Sequence, residues 1–217
     1  MTNNIERELR FFISQQELRS LQIKLQQFNH RGRFREVTIM YDNPNPAHTF
    51  YSSEIDGRLR LRVATPADDK SIDGYGLISW KQRIPASKNE LIRHEKEVEF
   101  GFNPNDLSYV QTIFENVLNC PRISSYERYR SHYEADKIHI TLDEFPFGYM
   151  LELEVDKSVG KTNQMDFLNE ILFKLNMSME SASFHSCDDM YRELCNKKGI
   201  TSKSDILFSD KDMPMLL

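Results

Sequence analysis

Cysteine is scarce in this sequence. The 217 residues include three cysteines, an odd number without a Cys-x-x-Cys pair. A disulfide framework and a cysteine zinc site are therefore not expected. No apolar run approaches the roughly 20 residues that cross a membrane. Residues 1–10 are polar and charged, unlike a secretory signal. These absences predict a cytoplasmic protein that does not bind a membrane.

Positive charge is not in excess either. Lys and Arg together number 28 and Asp and Glu 33, which gives a formal net charge of −5. A protein with this balance has no overall attraction for nucleic acid, so we expect no nucleic-acid partner. Any anion must instead meet a local cluster of basic side chains. A chain of 217 residues can bury a core of its own, and its composition does not indicate an oligomeric state.

The spacing of apolar residues predicts an α+β protein dominated by antiparallel strands. Ser14 and Glu17 form a capping box that starts a helix, which we expect to end near His30. A second helix is expected from Asn103-Pro104, with proline at the favoured first position. Two later helices are predicted over 164–175 and 188–198. The predicted strands cover 5–13, 35–41, 57–63, 76–84, 92–100, 122–134, 137–143 and 149–155.

Charged side chains concentrate on one face of six predicted strands. Because side chains alternate between faces along a strand, residues two apart point the same way. The faces carry seven Glu and nine Arg or Lys in all. Glu-x-Glu pairs occupy the first strand and a late one, whereas Arg and Lys dominate most of those between. The charged faces comprise Glu6, Glu8, Arg10; Arg58, Arg60, Arg62; Lys81, Arg83; Arg93, Glu95, Glu97, Glu99; Arg128, Arg130; and Glu152, Glu154.

A solvated sheet face mixes both signs within each strand, so this sorting by strand favours a binding site. Two carboxylates with one residue between them present oxygen donors in one direction, which suits Mg²⁺ or Mn²⁺. Arg and Lys match the oxygens of phosphate groups. The two sets together predict a site for a metal–polyphosphate, in which metal and arginines offset the charge of a triphosphate.

Several short motifs resemble the CYTH family, also called triphosphate tunnel metalloenzymes. The family's N-terminal ExExK strand corresponds to Glu6-Arg7-Glu8-Leu9-Arg10. The resemblance covers about residues 4–200 and leaves 201–217 as a C-terminal tail that we expect to be loosely ordered. The further motifs are Met40-Tyr41-Asp42-Asn43-Pro44, Leu59-Arg60-Leu61-Arg62, Ser79-Trp80-Lys81, Arg93-His94-Glu95-Lys96-Glu97, Tyr126-Glu127-Arg128-Tyr129-Arg130, Leu142-Asp143-Glu144-Phe145-Pro146-Phe147-Gly148 and Glu152-Leu153-Glu154.

The resemblance implies an eight-stranded antiparallel β-barrel, open at both ends, with helices packed outside. It also implies roles for individual residues inside that barrel. Metal ligands are expected at Glu6, Glu8, Glu152 and Glu154, with Asp143 and Glu97 as further candidates. Triphosphate-binding residues are expected at Arg60, Arg62, Lys81, Arg93, Arg128 and Arg130. The residues expected to act in catalysis are Glu6, Glu8, Arg10 and Lys81.

One position departs from the family pattern. Arg10 stands where the family has lysine, and a guanidinium that stays protonated cannot serve as a base. It can still bind a phosphate. Three functions therefore remain open: hydrolysis of tripolyphosphate, a nucleoside triphosphate or thiamine triphosphate; cyclisation of ATP to cyclic AMP and pyrophosphate; and triphosphate sensing without turnover. All three imply a small-molecule triphosphate as partner.

Overall fold

Eight antiparallel strands form the body of the protein. The structure is a computed structural model that describes residues 5–52, 56–84, 92–160 and 163–216. A ninth, two-residue strand lies near the C-terminus. The strands are β1 (Ile5–Ile13), β2 (Asn29–Tyr41), β3 (Gly57–Pro66), β4 (Tyr75–Arg83), β5 (Arg93–Phe102), β6 (Arg122–Ala135), β7 (Ile138–Phe145), β8 (Gly148–Val155) and β9 (Asp205–Ile206).

The sheet closes on itself. Its strand order is β2-β3-β4-β5-β1-β8-β7-β6, and β2 also pairs with β6, which joins the two edges into a barrel. The β2–β6 register runs from Asn29 opposite Glu134 to Tyr41 opposite Arg122. Closure leaves no free edge among these eight strands. The predicted eight-stranded antiparallel barrel is therefore confirmed.

Alternation along the strands divides the side chains into an inner charged set and an outer apolar set. Leu9 and Phe11 of β1 point outward and are 1% exposed. They pack with Leu151 and Leu153 of β8 under two helices, α1 (Gln15–Leu25) and α3 (Gln164–Leu175). This outer core fixes the faces of the strands, because a slip of one residue would turn the leucines into the barrel and the glutamates onto the helices.

A fourth helix, α4 (Cys187–Lys198), lies across one end of the barrel. Its Tyr191, Leu194 and Cys195 are buried against inward-facing residues of the strands, including Met40 and Met150. The resemblance implies a barrel open at both ends, whereas here an apolar cluster and α4 narrow one of them. Gly199 ends α4 as its C-cap, in the left-handed conformation at φ +65° that favours glycine.

Some boundaries differ from the prediction. Helix α1 ends at Leu25, because the segment around His30 already pairs with β6 and begins β2. Gly32, at φ +124°, marks a shift of register in this pairing, a backbone conformation that favours glycine. The second helix, α2 (Leu107–Thr112), continues as a π-helical turn over Ile113–Val117.

The C-terminal tail is better ordered than predicted. Strand β9 pairs in parallel with β6, through Ser125 and Tyr126. The backbone amide of Leu216 donates to the carbonyl of Phe147 at 2.7 Å. Ile206 is 4% exposed and belongs to the apolar cluster under α4. Within the described ranges, no helix combines the length and apolar character needed to cross a membrane.

Candidate active site

The interior of the barrel holds a charged cavity of about 140 Å³. Seven acidic and seven basic side chains line it. Four uncharged residues complete the lining: Tyr126, Met150, Ser186 and Cys187. The acids are Glu6, Glu8, Glu97, Glu99, Glu152, Glu154 and Asp188; the bases are Arg10, Arg58, Arg60, Arg62, Lys81, Arg128 and Arg130.

Strands β1 and β8 bring the two Glu-x-Glu pairs together. They are antiparallel neighbours, with Glu8 opposite Glu154 and Arg10 opposite Glu152. Glu6 and Glu8 are 5% and 4% exposed. The alternation of inward Glu with outward Leu on both strands is what places all four carboxylates on one inner wall.

Two cations hold this acidic wall in place. Lys81 Nζ lies 2.6 Å from Glu6 Oε2 and 2.8 Å from Glu97 Oε1. Arg10 contacts Glu8 at 2.5 Å and Glu152 at 2.8 Å. Burial lowers the pKa of both cations, but the surrounding carboxylates raise it by more, so the pKa of each lies above its usual value. Lys81 and Arg10 therefore stay protonated and contribute charge, not a base.

Two glutamates on this wall are difficult to ionise. Burial, together with the carboxylates of Glu6 and Glu8, raises the pKa of Glu154 to about 8. Burial also raises the pKa of Glu8 to about 7, with Glu152 adding to the shift and Arg10 opposing it. A side-chain hydrogen bond joins Glu154 to Glu6. The wall thus carries more carboxylates than its own cations neutralise.

The donor chemistry of this wall suits a hard divalent cation. All its donors are carboxylate oxygens, the ligands that such cations prefer. Glu8 Oε1 and Glu97 Oε1 lie in ion pairs with Arg10 and Lys81, at 2.5 and 2.8 Å. The geometry is not preassembled. In the described part of the chain, no three carboxylate, imidazole or thiol groups lie in the arrangement of a metal site. The carboxylates turn instead toward Lys81 and Arg10.

The opposite wall is basic and is supported from behind by two buried acids. Asp143 is fully buried and accepts a bidentate pair of hydrogen bonds from Arg130, at 2.6 Å each, and one from Arg128 at 2.9 Å. Arg130 also pairs with Glu152. Glu36, likewise fully buried, accepts from Arg128 at 2.7 Å. These contacts fix both guanidinium groups on the inner face.

Arg60 differs from the other cations of the cavity. It takes part in no ion pair among the described residues, and its buried Nε has no hydrogen-bond partner there. Arg62 has only a distant one, Glu36 at 3.7 Å. These two side chains of β3 therefore have the greatest unused capacity to bind an anion.

Most predicted site residues meet in the cavity, and two do not. Asp143 lies behind the lining, with both oxygens engaged by arginines. Arg93 also lies outside it, donating to Glu95 at 3.0 Å and to the carbonyls of Phe184 and His185 at 3.2 and 3.4 Å. Burial, assisted by Arg10, lowers the pKa of Arg93 to about 10. Their proposed roles as metal ligand and phosphate-binding residue stay predictions.

Two acidic residues of the site are not marked by any pattern in the sequence. Glu36 stands alone on its strand face, between Phe34 and Thr38, so no Glu-x-Glu spacing marks it. Asp188 enters the cavity from α4, a helix whose pattern indicates only an apolar stripe. The capping box of Ser186 and Asp189 fixes the start of that helix, but not its place at the barrel end.

Solved structures share this fold. The PH1819 protein of Pyrococcus horikoshii OT3 is 19% identical, with a TM-score of 0.65 over 87% of this chain and 98% of that one. HpAC1 of Hippeastrum, named as an adenylyl cyclase with a dominant triphosphatase activity, is 17% identical, with a TM-score of 0.59 over 91% and 97%. A chain of the Schizosaccharomyces pombe Mediator head module is 9% identical, with a TM-score of 0.58 over 79% and 94%.

Neither the models of protein families nor the curated proteins match the sequence. At these identities the structural likeness establishes the fold alone, and one fold can host unrelated functions. The resemblance to the triphosphate tunnel family is thus confirmed at the level of the barrel.

Proposed function

We propose that this protein is a CYTH-type triphosphatase that depends on a divalent metal and hydrolyses a triphosphate inside the barrel. The balance of charge in the cavity carries the proposal. Its seven acids and seven bases cancel formally, and even with Glu154 protonated the lining has only a small excess of positive charge against the roughly four negative charges of a triphosphate. Divalent cations bound to the acidic wall would supply the missing positive charge, since hard cations bind carboxylate and phosphate oxygens together.

The basic wall would bind the phosphate groups. Among the described residues, Arg60 forms no ion pair and Arg62 forms only a distant one with Glu36, so both can turn toward a ligand without breaking a strong ion pair. Arg128 and Arg130 are held rigidly by Asp143 and present guanidinium groups in fixed positions. Fixed donors stabilise the charge of phosphoryl transfer without having to reorganise.

The acidic wall would hold Mg²⁺ or Mn²⁺ through Glu6, Glu8, Glu152 and Glu154. A bound divalent ion in such a site neutralises charge on the phosphates and lowers the pKa of bound water. Arg10 and Lys81, which both stay protonated, would orient the carboxylates and add positive charge near the phosphates. This assignment accommodates arginine at position 10, because it asks for charge and geometry there and not for a base.

The test is consumption of a panel of triphosphates with identification of the products. Inorganic tripolyphosphate, nucleoside triphosphates and thiamine triphosphate are supplied with Mg²⁺ or Mn²⁺, and phosphate release is measured. We expect release that EDTA abolishes, and a loss of about 100-fold or more in Glu6→Gln. Glu170→Gln, on the exposed face of α3, is the matched control. Triphosphate binding without turnover at any metal concentration would indicate a sensor instead.

An adenylyl cyclase is the second candidate. A cavity lined by Tyr41, Tyr51 and Tyr126, among others, adjoins the charged one and could take an adenine ring. HpAC1, which shares the fold, is named for the cyclase reaction. Mass spectrometry of the products from ATP separates the two candidates, because cyclisation yields cyclic AMP and pyrophosphate whereas hydrolysis of the terminal group yields ADP and phosphate.

A further inference from the structure

Arg93 is the first residue of β5 and is almost completely buried, at 4% exposed. It stands opposite Glu8 in the register of β5 with β1, yet its side chain lies outside the lining of the charged cavity. A buried guanidinium is costly unless its donors find partners within the protein. The groups that Arg93 contacts therefore indicate what it does.

The guanidinium of Arg93 joins the barrel to the connector that precedes α4. Nη1 donates to the carbonyls of Phe184 and His185, at 3.2 and 3.4 Å. Both belong to the connector, residues 182–186, which has no regular secondary structure. On the barrel side, Nη2 donates to Glu95 at 3.0 Å and Nε lies 3.8 Å from Glu8. One planar side chain thus links β1, β5 and the connector.

Polar contacts hold this part of the connector to the barrel. The amide of Ser183 donates to the carbonyl of Arg10 at 2.7 Å. Phe184 is 46% exposed and His185 is exposed as well, so apolar packing contributes little at these two residues. The position of the connector therefore depends strongly on the two hydrogen bonds from Arg93.

The connector leads into the part of α4 that reaches the charged cavity. Ser186, Cys187 and Asp188, at the start of the helix, all line that cavity. The buried residues of α4, which pack against the barrel, lie beyond this first turn. Apolar packing thus fixes the body of the helix, whereas the first turn depends on how the connector is held.

We propose that Arg93 is a positioning residue, which holds the connector and so keeps the first turn of α4 at the end of the charged cavity. It acts through the carbonyls of Phe184 and His185 and does not touch the triphosphate. This role differs from the phosphate binding that the family resemblance implies for Arg93. Its consequence for turnover rests on the proposed function, whereas the placement of the turn does not.

Displacement of the first turn would alter the cavity in two ways. It would move the carboxylate of Asp188, and it would open this end of the barrel to water. Water weakens the electrostatic interactions of a site, and a shift of about 1 Å in the groups around a reaction can cost about 100-fold in rate. Loss of Arg93 should therefore lower kcat, whereas loss of a phosphate-binding residue such as Arg60 should raise KM.

The first test measures the placement of the turn and requires no activity. Burial, together with Asp188, raises the pKa of the Cys187 thiol to about 12, so little reactive thiolate is present in wild type. The protein is treated with iodoacetamide at pH 8, and mass spectrometry of its peptides gives the labelling rate of each cysteine. We expect Cys187 to react about tenfold or more faster in Arg93→Gln, the scale of one lost charge-assisted hydrogen bond.

Two controls separate a displaced turn from a general loss of stability. Cys120 is buried in a different apolar cluster, with Tyr41 and Phe114, and should keep its wild-type labelling rate. Glu95→Gln removes the charge paired with Arg93 but leaves both carbonyl contacts, so Cys187 should label as in wild type. An unchanged rate at Cys187 in Arg93→Gln, or an equal increase at Cys120, would overturn the proposal.

The second test distinguishes positioning from phosphate binding. Turnover of tripolyphosphate, or of another triphosphate that wild type consumes, is measured with Mg²⁺ in wild type, Arg93→Gln and Arg93→Lys. We expect kcat to fall by about tenfold or more in Arg93→Gln while KM changes by less than about twofold. Lysine keeps the charge but not the planar fork that joins three groups, so Arg93→Lys should also lose kcat. A tenfold rise in KM with kcat unchanged would assign Arg93 to the phosphates and refute the positioning role.

The outcomes separate this role from the proposed function. If wild type consumes no triphosphate with any metal, the proposed function fails, and the labelling rates still decide the placement of the turn. If wild type is active and kcat is unchanged in Arg93→Gln, the function stands and the part of Arg93 in it is refuted. Melting curves show whether each variant is folded, and Arg93→Lys replaces Arg93→Gln in both tests if the latter is not.

Discussion

The buried Glu154 lowers the stability of the metal-free protein at neutral pH, by an amount that can be measured. Its pKa is raised from an ordinary value of 4.5 to about 8, by burial and by the carboxylates of Glu6 and Glu8. Between these two values the folded protein keeps a proton that the unfolded chain releases. The stability that this group contributes is therefore complete below about pH 4.5 and is lost as the pH rises toward 8.

The magnitude follows from the shift. Each unit of pKa corresponds to about 1.4 kcal/mol, so at pH 7 the roughly 2.5 units between 4.5 and 7 correspond to a cost of about 3 kcal/mol. This is an upper bound, because the neighbouring carboxylates titrate together. Glu154→Gln keeps the shape and a hydrogen-bond donor toward Glu6, but needs no proton. It should recover most of that cost.

The assay is urea unfolding with EDTA present, followed by the fluorescence of the single tryptophan, Trp80. We expect Glu154→Gln to match wild type near pH 5 and to exceed it by up to about 3 kcal/mol at pH 7. The same variant should lose metal-dependent turnover. The control Glu170→Gln should change neither the stability nor the metal-dependent turnover. A variant no more stable than wild type at pH 7, or a gain that does not grow with pH, would refute the reasoning.

Three further substitutions test other parts of the cavity. Arg60→Ala should raise KM for a triphosphate by about tenfold or more, the scale of one charged hydrogen bond, with little change in stability. Arg19→Ala on α1 is the control. A KM of Arg60→Ala equal to that of wild type would exclude Arg60 from the site. Asp143→Ala should lower the free energy of unfolding by about 3–5 kcal/mol, because it leaves two buried guanidinium groups without their shared partner; a loss under about 1 kcal/mol in urea unfolding would show that they find water or another carboxylate. His132 has a pKa lowered to about 4, by burial and then by Arg130. Below its unfolded value of 6.5 only the unfolded chain gains the proton, so this group removes about 2 kcal/mol of stability by pH 5, and His132→Gln should flatten that decline; parallel pH profiles for the two proteins would contradict it.

The barrel could be predicted from the sequence because its pattern is strong and local. On β3 and β8 the charged residues alternate with Leu and Val, and the outer leucines of β1 and β8 are buried against α1 and α3. Capping at Ser14 and Gly199 fixes two helix ends by hydrogen bonds between near neighbours. A period of two along a strand decides which side chains point inward, so Glu6, Glu8, Glu152 and Glu154 could be assigned to one wall in advance.

What the sequence could not provide are the partners across the barrel. The contact of Glu36 with Arg128 joins residues 92 positions apart and depends on the register of β2 with β6. Nothing local distinguishes Glu36 from a solvated strand residue. The place of α4 at the barrel end, and of the tail beside it, likewise depends on packing between distant apolar residues. Helical periodicity defines a buried face but not what covers it.

The pairing of charges inside the barrel also constrains how its sequence can change over generations. Lys81 forms ion pairs with Glu6 and Glu97, and Arg10 forms ion pairs with Glu8 and Glu152. A substitution at one member leaves its partner's charge unbalanced in a buried place, so tolerated changes should come in matched pairs or preserve charge. An exchange between arginine and lysine at position 10 would be such a change, because the shape would differ while the sign that the two glutamates require would be kept.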